Sequence, residues 1–175
     1  MKSMICAAAA ATVLAGTAHA EVTRRSETGF TVVHKAQVAA SPAAAYAALG
    51  RVGAWWDDAH TYSGKASNMT MPLEAGGCFC ERLEGGGGVR HGVVVLALPG
   101  RTLRLDSALG PLQGEGVSGA LTFALQPRDG GTEVVLTYNV GGYGPEGVKQ
   151  WAEAVDQVLG VQLGRFARHV ATSGP

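Results

Sequence analysis

Charge is scarce in this chain and neither sign prevails. Fourteen Lys and Arg stand against 14 Asp and Glu in 175 residues. A chain so balanced has no electrostatic footprint for nucleic acid or for an anionic membrane surface, and neither is expected as a partner. Cysteine is scarcer still, at three residues, too few for a disulfide framework or a multi-cysteine zinc site. The sequence also lacks a G-x-S-x-G elbow, a zinc-protease motif and a dinucleotide fingerprint, so no cofactor is expected. Finally, it has no apolar run of the roughly 20 residues that a spanning helix requires.

What stands at the beginning is a shorter apolar run. Lys2 supplies a positive flank, Ile5 to Gly16 is apolar and alanine-rich, and Thr17-Ala18-His19-Ala20 ends in an A-x-A site. This pattern reads as a secretory signal peptide, residues 1–20, cleaved after Ala20. Export to a periplasm or to the outside follows, with no stable membrane anchor. Removing 20 residues leaves 155, enough for one domain with a real core and short of two. The expected organisation is a flexible leader over 21–29 and a single domain over 30–172.

Glycine is abundant, 26 residues, and sits between apolar runs rather than in a repeat. It punctuates a β-rich domain. Phe30 to Val38 alternates as a half-buried strand, placing Phe30, Val32, His34, Ala36 and Val38 on one face. Ser41-Pro42 reads as an N-cap and first helical position for a helix ending at Leu49. A second short helix around Arg51 to Asp57 carries Trp55 and Trp56. Six strand candidates follow: Tyr62–Met71, Gly77–Leu83, Val89–Leu98, Thr102–Ala108, Gly116–Gln126 and Thr132–Val140. The links between them are short, so neighbours should be antiparallel. A helix of roughly 25 residues, expected to start at Pro145, closes the chain, with Val148, Trp151, Val155, Leu159, Leu163 and Phe166 at helical spacing.

The order and the local sequence resemble the START-like, or SRPBCC, superfamily. Val38-Ala-Ala-Ser-Pro-Ala-Ala-Ala-Tyr-Ala-Ala-Leu49 is similar to that family's opening strand and helix. So are the tryptophans that follow, Gly76-Gly77 before a strand, and the Pro99-Gly-Arg-Thr-Leu103 turn. The nearest branch is that of Hsp90-ATPase activators and polyketide cyclases, and the likeness runs from about Phe30 to Val170. It implies an α+β helix-grip fold, a curved six- or seven-stranded antiparallel sheet around the last helix, with a cavity for a small molecule. An exported protein departs from cytosolic Hsp90 co-chaperones, so that role is set aside.

Within this frame the leading expectation is a binding protein for a small, largely apolar molecule, and more a binder than an enzyme. Trp55, Trp56, Tyr62, His91, Phe123, Tyr138, Trp151 and Val155 are the candidate ligand-binding residues, because amphipathic rings supply apolar area and one polar tip. Val148 and Leu159 would share the helical wall, and Leu121 and Leu136 the sheet wall. The alternative is a cyclase or aromatase-type enzyme in which His91 or His60 works with Glu81 as an acid/base pair. A third possibility is soft-metal binding. If the turn after Met71 is symmetric, Met71 faces Cys78 and Met69 faces Cys80, a four-sulfur patch suited to Cu(I). The plainer expectation for Cys78 and Cys80 is two buried free thiols, since a bridge across two residues of an extended strand lies near the geometric limit.

Overall fold

The computed structural model describes residues 20–173. The expected signal peptide, apart from Ala20, lies outside the described residues. Eight strands make one antiparallel sheet: β1 (Ala20–Ser26), β2 (Gly29–Val38), β3 (Met69–Thr70), β4 (Cys78–Arg82), β5 (Gly88–Leu98), β6 (Thr102–Ser107), β7 (Gly116–Arg128) and β8 (Gly131–Tyr143). Their order across the sheet is β1-β2-β8-β7-β6-β5-β4-β3. Helices α1 (Pro42–Leu49) and α2 (Val52–Trp55) follow β2, and α3 (Ala152–Thr172) closes the chain. This is an α+β helix-grip architecture.

The inner face of the sheet follows from alternation. Phe30, Val32, His34 and Val38 on β2, Leu103 and Leu105 on β6, Leu121, Phe123 and Leu125 on β7, and Val134, Leu136, Tyr138 and Val140 on β8 are all buried. Helix α3 lays Val155, Leu159, Leu163, Phe166 and Val170 against them. Each such side chain removed from water stabilises the fold by about 1.5–3 kcal/mol, and 21 residues give α3 a length of about 30 Å. The register shifts once in the β1–β2 pairing and twice along β5, between Phe79/Cys80 of β4 and Gly92/Arg90, and between Val94 and Leu96. An extra residue on one strand bends and twists it, which supplies curvature.

The Ser41 side chain accepts from Ala44 N–H and Pro42 opens α1, as the sequence predicts. Four expectations differ. Residues 21–29, expected as a flexible leader, mostly form β1, paired antiparallel with β2. Their polar composition reflects an edge strand, with only Val22 packed on the core. The strand expected over Tyr62–Met71 shrinks to Met69–Thr70, because the Tyr62 and Ser63 amides bond to the Glu81 side chain instead of to a strand. The last helix starts at Ala152 rather than Pro145. Gly147 takes a left-handed φ of 81°, which an α-helix does not admit, and Val148 N–H donates to Glu27 O. The sheet has eight strands where six or seven were expected.

A fifth difference concerns the sulfur residues. Thr70, not Met69, stands opposite Cys80, and Met69 stands opposite Glu81. This one-residue slip sends Met69 and Met71 into the core with Phe79 and leaves Cys78 and Cys80 half-buried on the other face. A single slip of register exchanges faces, and the four-sulfur copper patch does not form. Cys78 and Cys80 are disulfide-bonded, with Cα atoms 5.3 Å apart, rather than buried free thiols. That separation is shorter than the roughly 6.7 Å of two extended residues, and β4 is contracted there beside the shift at Phe79/Cys80.

Candidate functional site

A cavity of about 300 Å³ opens between the first half of α3 and the β5 side of the sheet. The helix contributes Ala154, Val155, Val158 and Leu159, with Trp151 just before it. The segment after α2 contributes Trp56, His60, Thr61 and Tyr62. The turn after β6 contributes Leu109, Gly110 and Pro111. The lining is almost wholly carbon, and His91 of β5 is the sheet's contribution.

His91 reaches the cavity because of the irregularity in β5. Phe79 pairs with Gly92 and Cys80 with Arg90, so His91 is an additional residue with no opposite number on β4. Such a bulge re-aims a side chain, and here His91 and its neighbour Gly92 both belong to the buried face. The imidazole packs against two rings, Phe79 at 4.9 Å and Tyr62 at 5.9 Å between centroids.

Behind it sits Glu81, only 2% exposed, against 4% for His91. Glu81 Oε2 accepts from His91 Nε2 at 2.9 Å and from Tyr62 N–H at 3.1 Å, and Oε1 accepts from Ser63 N–H at 2.5 Å. Burial pushes the carboxyl pKa up. The hydrogen bonds from Ser63, Tyr62 and His91 outweigh it, so the net shift is downward and Glu81 is ionised. Burial pushes His91 down, beyond what the neighbouring carboxylate restores, so His91 is neutral at pH 7. A carboxylate only accepts, so the proton of neutral His91 must lie on Nε2 and Nδ1 carries a lone pair. No protein group among the described residues hydrogen-bonds that Nδ1.

His60 is fixed by a different device. Buried Gln162 of α3 accepts from Asp57 N–H through Oε1 at 2.9 Å, so its Nε2 is the end that donates to His60 Nδ1, also at 2.9 Å. A neutral His60 then carries its proton on Nε2. The Tyr62 hydroxyl donates to Gly110 O at 3.1 Å, bridging the mouth while the ring stays 53% exposed. Trp56 Nε1 donates to His60 O at 2.9 Å, which turns the indole's carbon face toward the cavity wall. Trp151 Nε1 is buried without a protein partner.

The sequence-derived candidates therefore divide. Trp56, Tyr62, His91, Trp151 and Val155 line the cavity, as do His60 and Leu159, while Glu81 stands directly behind His91. Trp55, Phe123 and Tyr138 do not line it. Trp55 packs edge-on to Phe166 and donates to Ala48 O. The Tyr138 hydroxyl donates to Ser107 O and accepts from Leu109 N–H, so both its functions are spent on the fold. Val148, Leu121, Leu136 and Phe123 are core. Leu109, Pro111, Ala154 and Val158 were missed. Val158 was discoverable, since it continues the helical spacing Trp151, Val155 by three more residues. Leu109 and Pro111 sit in a turn with no periodic signal.

Among the described residues no three His, Cys, Asp or Glu side chains gather as a metal site, and no helix is long and apolar enough to cross a membrane. No family model and no curated protein matches this chain. Several solved structures do resemble it. A Rhodobacter sphaeroides protein is 20% identical, covering 89% of this chain and 97% of its own, with a TM-score of 0.57. CalU16 from Micromonospora echinospora is 13% identical over 90% and 88%, with a TM-score of 0.59. The Aha1 dimer from Colwellia psychrerythraea is 19% identical over 83% and 98%, with a TM-score of 0.55. At these identities the likeness speaks for architecture alone, and the architecture shared is a curved antiparallel sheet around a long C-terminal helix.

Proposed function

We propose that this protein is an exported member of the START-like superfamily that holds a small, largely apolar molecule between α3 and the β4–β5 side of the sheet. The observation that carries this reading is the cavity of about 300 Å³ walled by Trp56, Leu109, Pro111, Val155, Val158 and Leu159. Such a lining, with few polar groups, is what small-molecule sites use. A bicyclic ring system the size of an indole buries roughly 200 Å². At about 25 cal/mol per Å² that amounts to about 5 kcal/mol, or a Kd of about 0.2 mM. Apolar contact alone gives weak binding, and selectivity rests on the polar group at the wall. Export rests on the basic, apolar and A-x-A pattern of residues 2–20.

Native mass spectrometry of the mature protein, purified gently from its own host, tests this reading. An organic mass released on denaturation, and lost when Val158→Trp fills the cavity, is the expected result. A mass retained in that variant would place the ligand elsewhere. A bare protein mass that also takes up no added bicyclic hydrocarbon would remove the reading.

The His91–Glu81 pair favours a second reading, general-base catalysis of the aldol type that cyclases use. A free Nδ1 lone pair backed by an ionised carboxylate can take a proton from a bound substrate, and general-base groups contribute about 10²- to 10⁴-fold in rate. The two readings separate on His91→Ala. A carrier changes its affinity by no more than about tenfold, the worth of one hydrogen bond. An enzyme loses turnover by at least about a hundredfold while substrate still binds.

A further inference from the structure

The polar group that the sheet brings to the cavity has a defined sign. Glu81 is surrounded by three donors, the Tyr62 and Ser63 amides and His91 Nε2. The two amides cannot change role, and they hold the carboxylate in place whether or not a ligand is present. The carboxylate in turn commits the imidazole proton to Nε2. Phe79 and Tyr62 pack against the ring and restrict its turning. The cavity wall thus presents a hydrogen-bond acceptor, Nδ1, on a neutral ring. Tyr62 cannot serve that acceptor, because its hydroxyl is engaged by Gly110 O.

We propose that the ligand is an apolar molecule of about bicyclic size bearing one neutral hydrogen-bond donor, a phenolic or alcoholic hydroxyl, that donates to His91 Nδ1. This rests on the cavity reading above and deepens it. Leaving a buried acceptor unpaired costs more than its hydrogen bond returns, so a ligand lacking the donor is penalised. A carboxylate ligand is disfavoured as well, since it would bring two lone-pair acceptors together beside ionised Glu81. Glu81 is a positioning residue in this scheme, acting through His91.

The test compares 2-naphthol with 2-methoxynaphthalene by calorimetry on the mature protein. The ether is the more hydrophobic, so an apolar cavity without an acceptor favours it. The expected result is the reverse, with 2-naphthol bound about tenfold tighter, and the preference lost in His91→Phe while the ether still binds. Equal affinities in the wild type, or a preference that survives His91→Phe, would overturn the proposal and leave the cavity reading intact. Failure of both compounds to bind would overturn the two together. Should His91→Phe fail to fold, nitrogen-15 spectra of the wild-type imidazole decide the matter. Nδ1 should be unprotonated and shift with 2-naphthol but not with the ether. A proton on Nδ1 would overturn the proposal.

Discussion

Two histidines in this protein are buried against carboxylates, and only one of them faces a cavity. His34 on β2 has Nε2 3.0 Å from Asp156 Oδ1 and 3.0 Å from Asp156 O, on α3. His91 on β5 has Nε2 2.9 Å from Glu81 Oε2. By distance the pairs look alike, but His34 Nε2 makes its hydrogen bond to the Asp156 backbone carbonyl, and Asp156 Oδ1, on a side chain 18% exposed, has no hydrogen-bond partner. They differ also in what surrounds the other nitrogen. His34 Nδ1 is sealed in the interior with no partner. The ring of His34 lies against Gly160, where a Cβ would come within 2.9 Å of its Cε1. His91 lines the cavity, and its carboxylate is held by two backbone amides. The first pair fastens a strand to the helix, while the second aims a lone pair at the cavity. A His–carboxylate pair is thus no sign of a site until the second nitrogen is accounted for.

The largest expected break falls on the structural pair. Gly160→Val drives a branched side chain into the His34 ring and should cost about 2–3 kcal/mol, the upper range for overpacking a core. The double variant His34→Ala with Gly160→Val should recover at least about 1 kcal/mol of the summed loss, because the two side chains compete for one space. Urea unfolding measures both, and strict additivity would show that the ring and the glycine are not coupled. Affinity for cavity ligands should hold in any variant that remains folded.

A smaller expected loss of stability, with a change in recognition, follows at the other pair. Glu81→Ala leaves the Tyr62 and Ser63 amides and His91 Nε2 without their acceptor and should cost about 2 kcal/mol. It should also erase the preference for a hydroxylated ligand, which no change at His34 or Gly160 should do. A Glu81→Ala protein that retains the preference would show that the carboxylate does not fix the imidazole.

Acid sharpens the contrast further. His91 has a pKa below its ordinary value of 6.5 in the fold. The unfolded chain therefore binds the proton more readily, and stability falls as pH drops below about 6.5. Glu81 is also shifted below its ordinary 4.5, so its contribution is present above that value and is lost as pH falls through the folded pKa. Both slopes have the same sign. His91→Phe should flatten the upper part of the stability profile and Glu81→Gln the lower part. An unchanged profile between pH 7 and 5 in His91→Phe would contradict the assignment.

The smallest effect is expected at the disulfide. Cys78 and Cys80 project from the face of β4 opposite Phe79 and Glu81. Replacing both with Ser opens only a three-residue loop, worth less than about 2 kcal/mol in chain entropy. Ligand affinity should not change.

The sequence made the frame legible and the site only in part. Alternation placed Phe30, Val32, His34 and Val38 on one face, and Ser41-Pro42 announced α1, because both signals are local. The helical spacing of Trp151, Val155 and Leu159 identified one wall of the cavity. What it could not carry was register. The extra residue at His91 and the pairing of Thr70 with Cys80 depend on strands that meet only in the fold. For the same reason Tyr138 looked like a pocket residue until Ser107 and Leu109 took both roles of its hydroxyl. Gly160 lies on α3, and what its missing side chain makes room for is the ring of His34 on another element.

The central claim is that the cavity beside His91, and not the core under β7 and β8, receives the ligand. Methyl spectra of Val- and Leu-labelled protein titrated with 2-naphthol test it most directly. The expected result is shifts at Leu109, Val155, Val158 and Leu159, with Leu121, Val134 and Leu136 unmoved. Shifts confined to the second group, or none at millimolar ligand, would contradict it.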